Sequence, residues 1–169
     1  QAYAEAKGHF PQASTLDKEG KPLLSWRVEL LPFLGQQGLY DEFRRDEPWD
    51  SPHNKSLLER MPAGFTHPEG SDGPGMTPYR GLIGKGAFFD PEVKDGITIA
   101  TITDGTSNTL MVVEAATPVP WTKPEDLPST RKTWRRSSAA CSRRGSIRPL
   151  PMAPFGFSTR RSVRRPSGP

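Results

Sequence analysis

Apolar residues along this chain come in short bursts, and the spacing within each burst predicts a different element. Residues 2–7 read as the last turns of a helix. Gly8 is placed to stop it, and His9-Phe10-Pro11 leads the chain away. Residues 16–22 form a polar turn around Asp17, Lys18, Glu19 and Gly20. The longest apolar stretch, 23–43, fits two periods. Leu24, Trp26, Val28 and Leu30 alternate as in a strand, whereas Leu23, Trp26, Leu30, Phe33 and Leu34 form a helical stripe with Ser25 as an N-cap. Its length favours a helix kinked or broken at Pro32. Ser51-Pro52 gives a cleaner signal, a cap followed by proline at the first helical position, with Leu57, Leu58 and Met61 behind it and Pro62 closing. Residues 62–78 are rich in glycine and proline and predict an exposed loop. Residues 79–83 and 97–102 are short strand candidates. Residues 109–115 form the firmest one, with Leu110 and Val112 facing one way and Met111 and Val113 the other, so that both faces are expected to be covered.

Charge divides the chain at about Pro128. All 19 acidic residues lie in 1–128 beside 12 Lys and Arg, a formal charge of −7. Residues 129–169 hold 11 basic residues, ten of them Arg, and no acid. The first part suffices for one small domain. The second, built from Arg, Ser, Pro and Gly with isolated apolar residues, is too polar to offset its ordering entropy, and disorder is the expectation there. The single cysteine, Cys141, lies in the second part, which excludes a disulfide or thiolate metal site from residues 1–128. No apolar run approaches the roughly 20 residues of a membrane span. The chain opens on Gln1 with no signal-like segment, so it reads as a fragment or a processed form.

Few residues suggest chemistry. Asp104-Gly105-Thr106-Ser107-Asn108 offers hard oxygen ligands from Asp104, Ser107 and Asn108 beside a glycine turn, the donor type that calcium takes. The preferred reading is an Asx-type turn entering the next strand, because EF-hand spacing is missing. His9, His53 and His67 are far apart and lack helical zinc spacing; His53 is expected in solvent. Glu114 is expected to pair with an arginine such as Arg27. Trp26, Trp49 and Trp121 read as packing residues. Gly84-Lys85-Gly86 is too short for a phosphate loop. No nucleophile and base can be assembled from residue order, so the chain is not read as an enzyme.

Several blocks carry a resemblance. Gly8-His9-Phe10-Pro11 is followed by Gly20-Lys21-Pro22-Leu23-Leu24-Ser25-Trp26-Arg27-Val28, then Leu31-Pro32-Phe33-Leu34 and Asp46-Glu47-Pro48-Trp49-Asp50-Ser51-Pro52-His53-Asn54. Ile102-Thr103-Asp104-Gly105-Thr106-Ser107-Asn108-Thr109 and Val113-Glu114-Ala115-Ala116 come next, and Val119-Pro120-Trp121 continues to Pro128. In content and order these resemble a large planctomycete family of uncharacterised proteins with a pilin-like N-terminus, which also carries a bacterial extracellular solute-binding name. The resemblance implies a prepilin-type leader and a long apolar helix upstream of which residues 2–7 are the end. It also implies an extracytoplasmic, membrane-anchored protein working by assembly or binding. Related pseudopilins can hold calcium in such loops, which lends Asp104, Ser107 and Asn108 some support as a calcium site.

The family's usual ending, of the type Gly-Gly-Phe-Asn-Ala-Ala-Phe-Ala-Asp-Gly-Ser-Val-Arg-Phe, is missing, and the basic segment stands in its place. Pro151-Met152-Ala153-Pro154-Phe155-Gly156-Phe157 can be encoded by bases that, read one position earlier, give Ala-Asp-Gly-Ser-Val-Arg-Phe. The single Met codon supplies the last two bases of the Asp codon and the first of the Gly codon. Similar fits extend through 138–150 and 158–169, so residues 129–169 read as the family ending in the wrong frame. The competing reading is a genuine basic tail built to bind nucleic acid, its Arg pairs on phosphates and Trp134, Phe155 and Phe157 as stacking faces; adventitious nucleic-acid binding is expected whatever the origin of the charge. The fold expected is α+β: a pilin-like head in 1–128, with an N-terminal helix remnant and two or three further helices within 25–61. These pack on a small antiparallel sheet around 109–115. Self-assembly or pilin-like partners are expected for the full-length form, and an extracytoplasmic solute- or glycan-binding module is the alternative.

Overall fold

The computed structural model describes residues 2–69, 72–93, 96–102, 105 and 109–129. The chain enters through α1 (Ala2–Lys7), whose buried residues are Tyr3 and Ala4. Gly8 closes it at φ +80°, donating its N–H to the Ala4 carbonyl at 2.8 Å, and a glycine takes that left-handed geometry without strain. β1 (Ser14–Leu16) and β2 (Pro22–Ser25) form an antiparallel hairpin. Its polar turn is held by Asp17, whose Oδ1 accepts from the N–H groups of Glu19 at 3.0 Å and Lys21 at 2.7 Å.

The ambiguous stretch 23–43 resolves into both of its periods in succession. Pairing with β1 makes 22–25 a strand. Ser25 then caps α2 (Trp26–Glu29), a 3-10 turn follows at Leu31–Leu34 with Pro32 at its start, and α3 (Gln37–Glu42) ends the run. The helix expected to be kinked or broken at Pro32 is thus broken, into three short helical pieces, and is preceded by a strand. A proline and a left-handed cap at Gly35 prevent continuity. Ser51 caps α4 (Pro52–Ser56) as the sequence predicts, its Oγ accepting from the Asn54 N–H at 3.2 Å, and a 3-10 turn at Leu58–Arg60 extends it. The predicted loop 62–78 carries a 3-10 turn at Ala63–Phe65 that buries Phe65.

The second sheet has the order β4-β3-β5. β3 (Met76–Ile83) is central, β4 (Val112–Pro120) pairs with it antiparallel, and β5 (Leu127–Pro128) pairs with it parallel. The α+β class and small antiparallel sheet are therefore present, with β5 as an addition. Three expectations need correction. The strand placed at 109–115 begins at Val112 and runs on to Pro120, because Pro118 and Pro120 sit on an edge strand, where a missing N–H is tolerated. Its faces are half-buried rather than covered on both sides. The predicted strand 97–102 holds a 3-10 turn at Ile99–Thr101, since Thr98 and Thr101 cap each other reciprocally. The register along β4 also slips: Thr77 faces Val119, yet Tyr79 faces Glu114, so β4 bulges between them.

The core is organised by a run of ring contacts. Phe43 meets Trp121 edge-on at 5.7 Å, Trp121 stacks on Phe65 at 5.9 Å, and Phe65 meets Trp26 at 6.3 Å. Trp26 stacks on Phe89 at 5.7 Å, and Phe88 then links Phe89 to Phe10. Leu24, Val28 and Leu31 are fully buried beside them. The run crosses between residues before and after position 80 four times, so the two parts of the chain share one core. Trp121 is its keystone, with no exposed surface and an indole N–H donated to the Leu58 carbonyl at 2.9 Å. Trp121→Ala is expected to cost about 3–5 kcal/mol in chemical denaturation, the range for deleting a buried large aromatic.

Candidate functional site

The most elaborate polar arrangement among the described residues is centred on Arg27. Ser25 ends β2 and turns the chain into α2, which aims the Arg27 side chain inward. Nη1 donates to Ser25 Oγ at 2.6 Å, and Nε donates to the Tyr79 carbonyl at 3.1 Å. Nη2 also donates to that carbonyl and lies 3.6 Å from Asp126 Oδ1. The guanidinium rests over the Trp26 ring at 4.7 Å, a cation–π contact. The Arg27 side chain is 0% exposed and that of Asp126 is 3% exposed. Burial lowers the Arg27 pKa to about 10, opposed by the Asp126 carboxylate and reinforced by the Arg80 charge. Arg27 is therefore still a cation at neutral pH, and the pair is ionic.

Asp126 is held from three directions. Its Oδ1 accepts from the Gly81 N–H at 2.7 Å and from the Trp26 indole at 3.3 Å, besides the ion pair. Alongside, Arg80 donates from Nε to the Glu125 carbonyl at 3.1 Å and from Nη2 to Glu125 Oε1 at 3.1 Å and the Asp126 carbonyl at 3.3 Å. Lys123 Nζ sits 2.6 Å from Glu125 Oε2. The Glu125 carboxyl is held below its ordinary range, by the Lys123 hydrogen bond first and the Arg80 charge and hydrogen bond after it. Arginine is suited to this setting because its planar fork can serve several acceptors at once.

The expected pairing of Glu114 with Arg27 is not formed. Glu114 Oε1 instead lies 3.3 Å from His67 Nε2, on the edge strand, while Arg27 takes Asp126. His67 Nδ1 accepts from the Glu69 N–H at 3.1 Å, which leaves Nε2 as the protonated nitrogen facing Glu114. Burial raises the Tyr79 phenol, with the Glu114 and Asp72 charges adding to it. His9 contacts the Phe10 carbonyl and the Tyr3 ring. His53 lies at the surface, partly exposed, with its Nε2 2.8 Å from the Glu42 carbonyl. Trp26 and Trp121 are buried packing residues as expected, and Trp49 is half-buried under Lys123. Gly84–Gly86 forms a turn, with the Gly86 N–H on Asp90 Oδ2 at 2.7 Å.

Asp104, Ser107 and Asn108, the calcium candidates, lie outside the described residues, as does the basic segment from residue 130 on. At the neighbouring Gly105, φ is +80°, and Thr109 Oγ1 donates to its carbonyl at 3.1 Å. Among the described residues no group of three His, Cys, Asp or Glu is placed to hold a metal, and no helix is long and apolar enough to cross a membrane. Sequence reasoning missed Asn54. It is fully buried, and its amide donates to the carbonyls of Arg44, Glu47 and Pro48 while its Oδ1 accepts from the Arg44 N–H at 3.0 Å. That accounts for an asparagine ending the block 46–54: it ties the loop before α4 to the helix.

Residues 1–80 match the model of a family, SBP_bac_10, described as "Protein of unknown function (DUF1559)". The match supports kinship with that family over this part of the chain. No curated protein and no solved structure matches the chain. The matched region contains Arg27 and its acceptor Tyr79, but Gly81 and Asp126 lie beyond it.

What the geometry can do is join segments: it links the start of α2 and the middle of β3 to the chain just before β5. Asp126→Ala should cost about 3–5 kcal/mol in denaturant unfolding, because it leaves a buried cation without its counter-charge. Glu125, 40% exposed, should contribute much less. Its lowered pKa adds stability above its ordinary value of 4.5, and that contribution disappears as pH falls through the lowered value. The stability difference between the wild-type chain and Glu125→Gln should therefore be present at neutral pH and close in acid.

Proposed function

We propose that the described domain is the head of an exported, pilin-like protein that works by assembly or binding rather than by catalysis. The observation that carries the proposal is the match of residues 1–80 to the DUF1559 family, whose SBP_bac_10 label is compatible with an extracytoplasmic module. The polar clusters support it, because Arg27, Asp126, Asn54 and Arg80 spend their hydrogen bonds on holding chain segments together. On this reading α1 is the foot of a longer apolar helix that anchors the full-length protein in the cell envelope and packs it into assemblies. The planctomycete affiliation and the wrong-frame origin of 129–169 belong to the same proposal. The second is supported by the coincidence of the composition break with the end of β5 at Pro128, and the base sequence across codons 127–130 decides it.

The alternative, a solute- or glycan-binding module, is favoured by the family label alone. The two readings separate in one experiment. A long apolar helix is fused ahead of Gln1, and the product is examined by electron microscopy and by thermal melting with a panel of sugars and amino acids. Assembly predicts filaments or regular clusters and no ligand-dependent change in melting. A dispersed fusion protein whose melting rises by several degrees with one ligand of the panel, about the shift that tight binding produces, would replace the assembly reading with the binding one.

A further inference from the structure

The Asp126 carboxylate sits in a niche that the rest of the fold builds without it. Its three partners come from elsewhere in the chain: the Arg27 guanidinium as an ion pair at 3.6 Å, and the Trp26 indole N–H and Gly81 backbone N–H as donors, all meeting Oδ1. Each is fixed by other contacts. Arg27 is tied to Ser25 Oγ and the Tyr79 carbonyl, Trp26 is packed against Phe89 and Phe65, and Gly81 is set by the pairing of β3 with Val112 on β4. One cation and two neutral N–H groups converging in a site closed to water form a donor set that selects a carboxylate. The floor is glycine for a reason of space. A Cβ at Gly81 would lie 2.5 Å from Phe89 Cε2 and 3.2 Å from Asp126 Cγ.

The segment that delivers Asp126 is a narrow strap. It is held by two ladder pairs, Leu82 with Leu127 and Ile83 with Pro128, by the Ser129 N–H on the Ile83 carbonyl at 2.8 Å, and by the Arg80 contacts to Glu125. We propose that the niche of Arg27, Trp26 and Gly81 is a carboxylate receptor in its own right, that Asp126 is its built-in ligand, and that the strap around 123–129 keeps free carboxylates out. The ligand class is a small carboxylate, which the niche can take only when the Asp126 side chain is absent. The inference concerns a contact within this chain and is independent of the assembly reading.

The test is chemical rescue in the full 169-residue chain. Asp126→Gly opens a space of carboxylate size, and its thermal melting is followed in sodium acetate, in sodium chloride of equal ionic strength, and with acetamide. The receptor predicts that Asp126→Gly melts below the parent in chloride and regains a substantial part of the loss in acetate. The gain should saturate in the millimolar range, and acetamide should have no effect. The parent should gain nothing over chloride. Should Asp126→Gly be unfolded in chloride, the receptor predicts that acetate restores folding, read by circular dichroism. In Asp126→Ala, acetate should shift the Trp26 indole N–H resonance. Identical behaviour in acetate and chloride, for melting and for the Trp26 resonance, overturns the proposal and means that the niche accepts a carboxylate only when the chain itself delivers it.

Discussion

A guanidinium with no exposed surface dictates much of this fold. Arg27 is charged at neutral pH, so the chain has to surround it with acceptors and supply a negative charge. Ser25 is local and comes with the helix cap. The Tyr79 carbonyl and the Asp126 carboxylate are not local, and they fix where β3 and the chain before β5 must lie. The same carboxylate also accepts from Gly81 and Trp26, so one side chain ties three segments into register. Removing it would leave a buried cation and two unpaired donors together, which is why this contact outweighs the exposed ion pairs such as Arg44 with Glu47.

The aromatic run makes the same connection in apolar terms. Trp26 and Phe65 lie within the region matched to the family of unknown function, whereas Phe89 and Trp121 lie beyond it, and the rings interleave. The polar latch and the ring contacts therefore point to one folding unit reaching to residue 129, longer than the match itself. β4 and β5 are the two flanks of β3, and the order β4-β3-β5 places the strap beside the central strand rather than at the end of a hairpin.

What the sequence made legible was local. Gly8 ending α1 and Ser51-Pro52 starting α4 depend on residues within one turn, and both are where the pattern puts them. The stretch 23–43 was not legible, because its first residues become a strand only by pairing with Ser14–Leu16. The turn at Ile99–Thr101 was hidden by an apolar alternation that the Thr98–Thr101 caps override. β4 outruns its predicted end because prolines stop a strand only where their N–H is needed. The partner of Arg27 was misread for a related reason. Glu114 lies on a strand facing Tyr79 and looked available, but nothing along the sequence marks Asp126 as the residue that tertiary structure brings in. The calcium candidates Asp104, Ser107 and Asn108 lie outside the described residues.

The central claim is that residues 81–129 complete the core begun by 1–80, through Asp126 on Arg27 and through Phe89 and Trp121 in the aromatic run. Equilibrium denaturation of fragments 1–80 and 1–129, followed by tryptophan fluorescence and circular dichroism, tests it most directly. The account predicts one cooperative transition for 1–129, coincident by both signals, and no cooperative transition for 1–80. A cooperative transition for 1–80 with a midpoint equal to that of 1–129 would contradict it, since Arg27 would then be buried stably without its carboxylate.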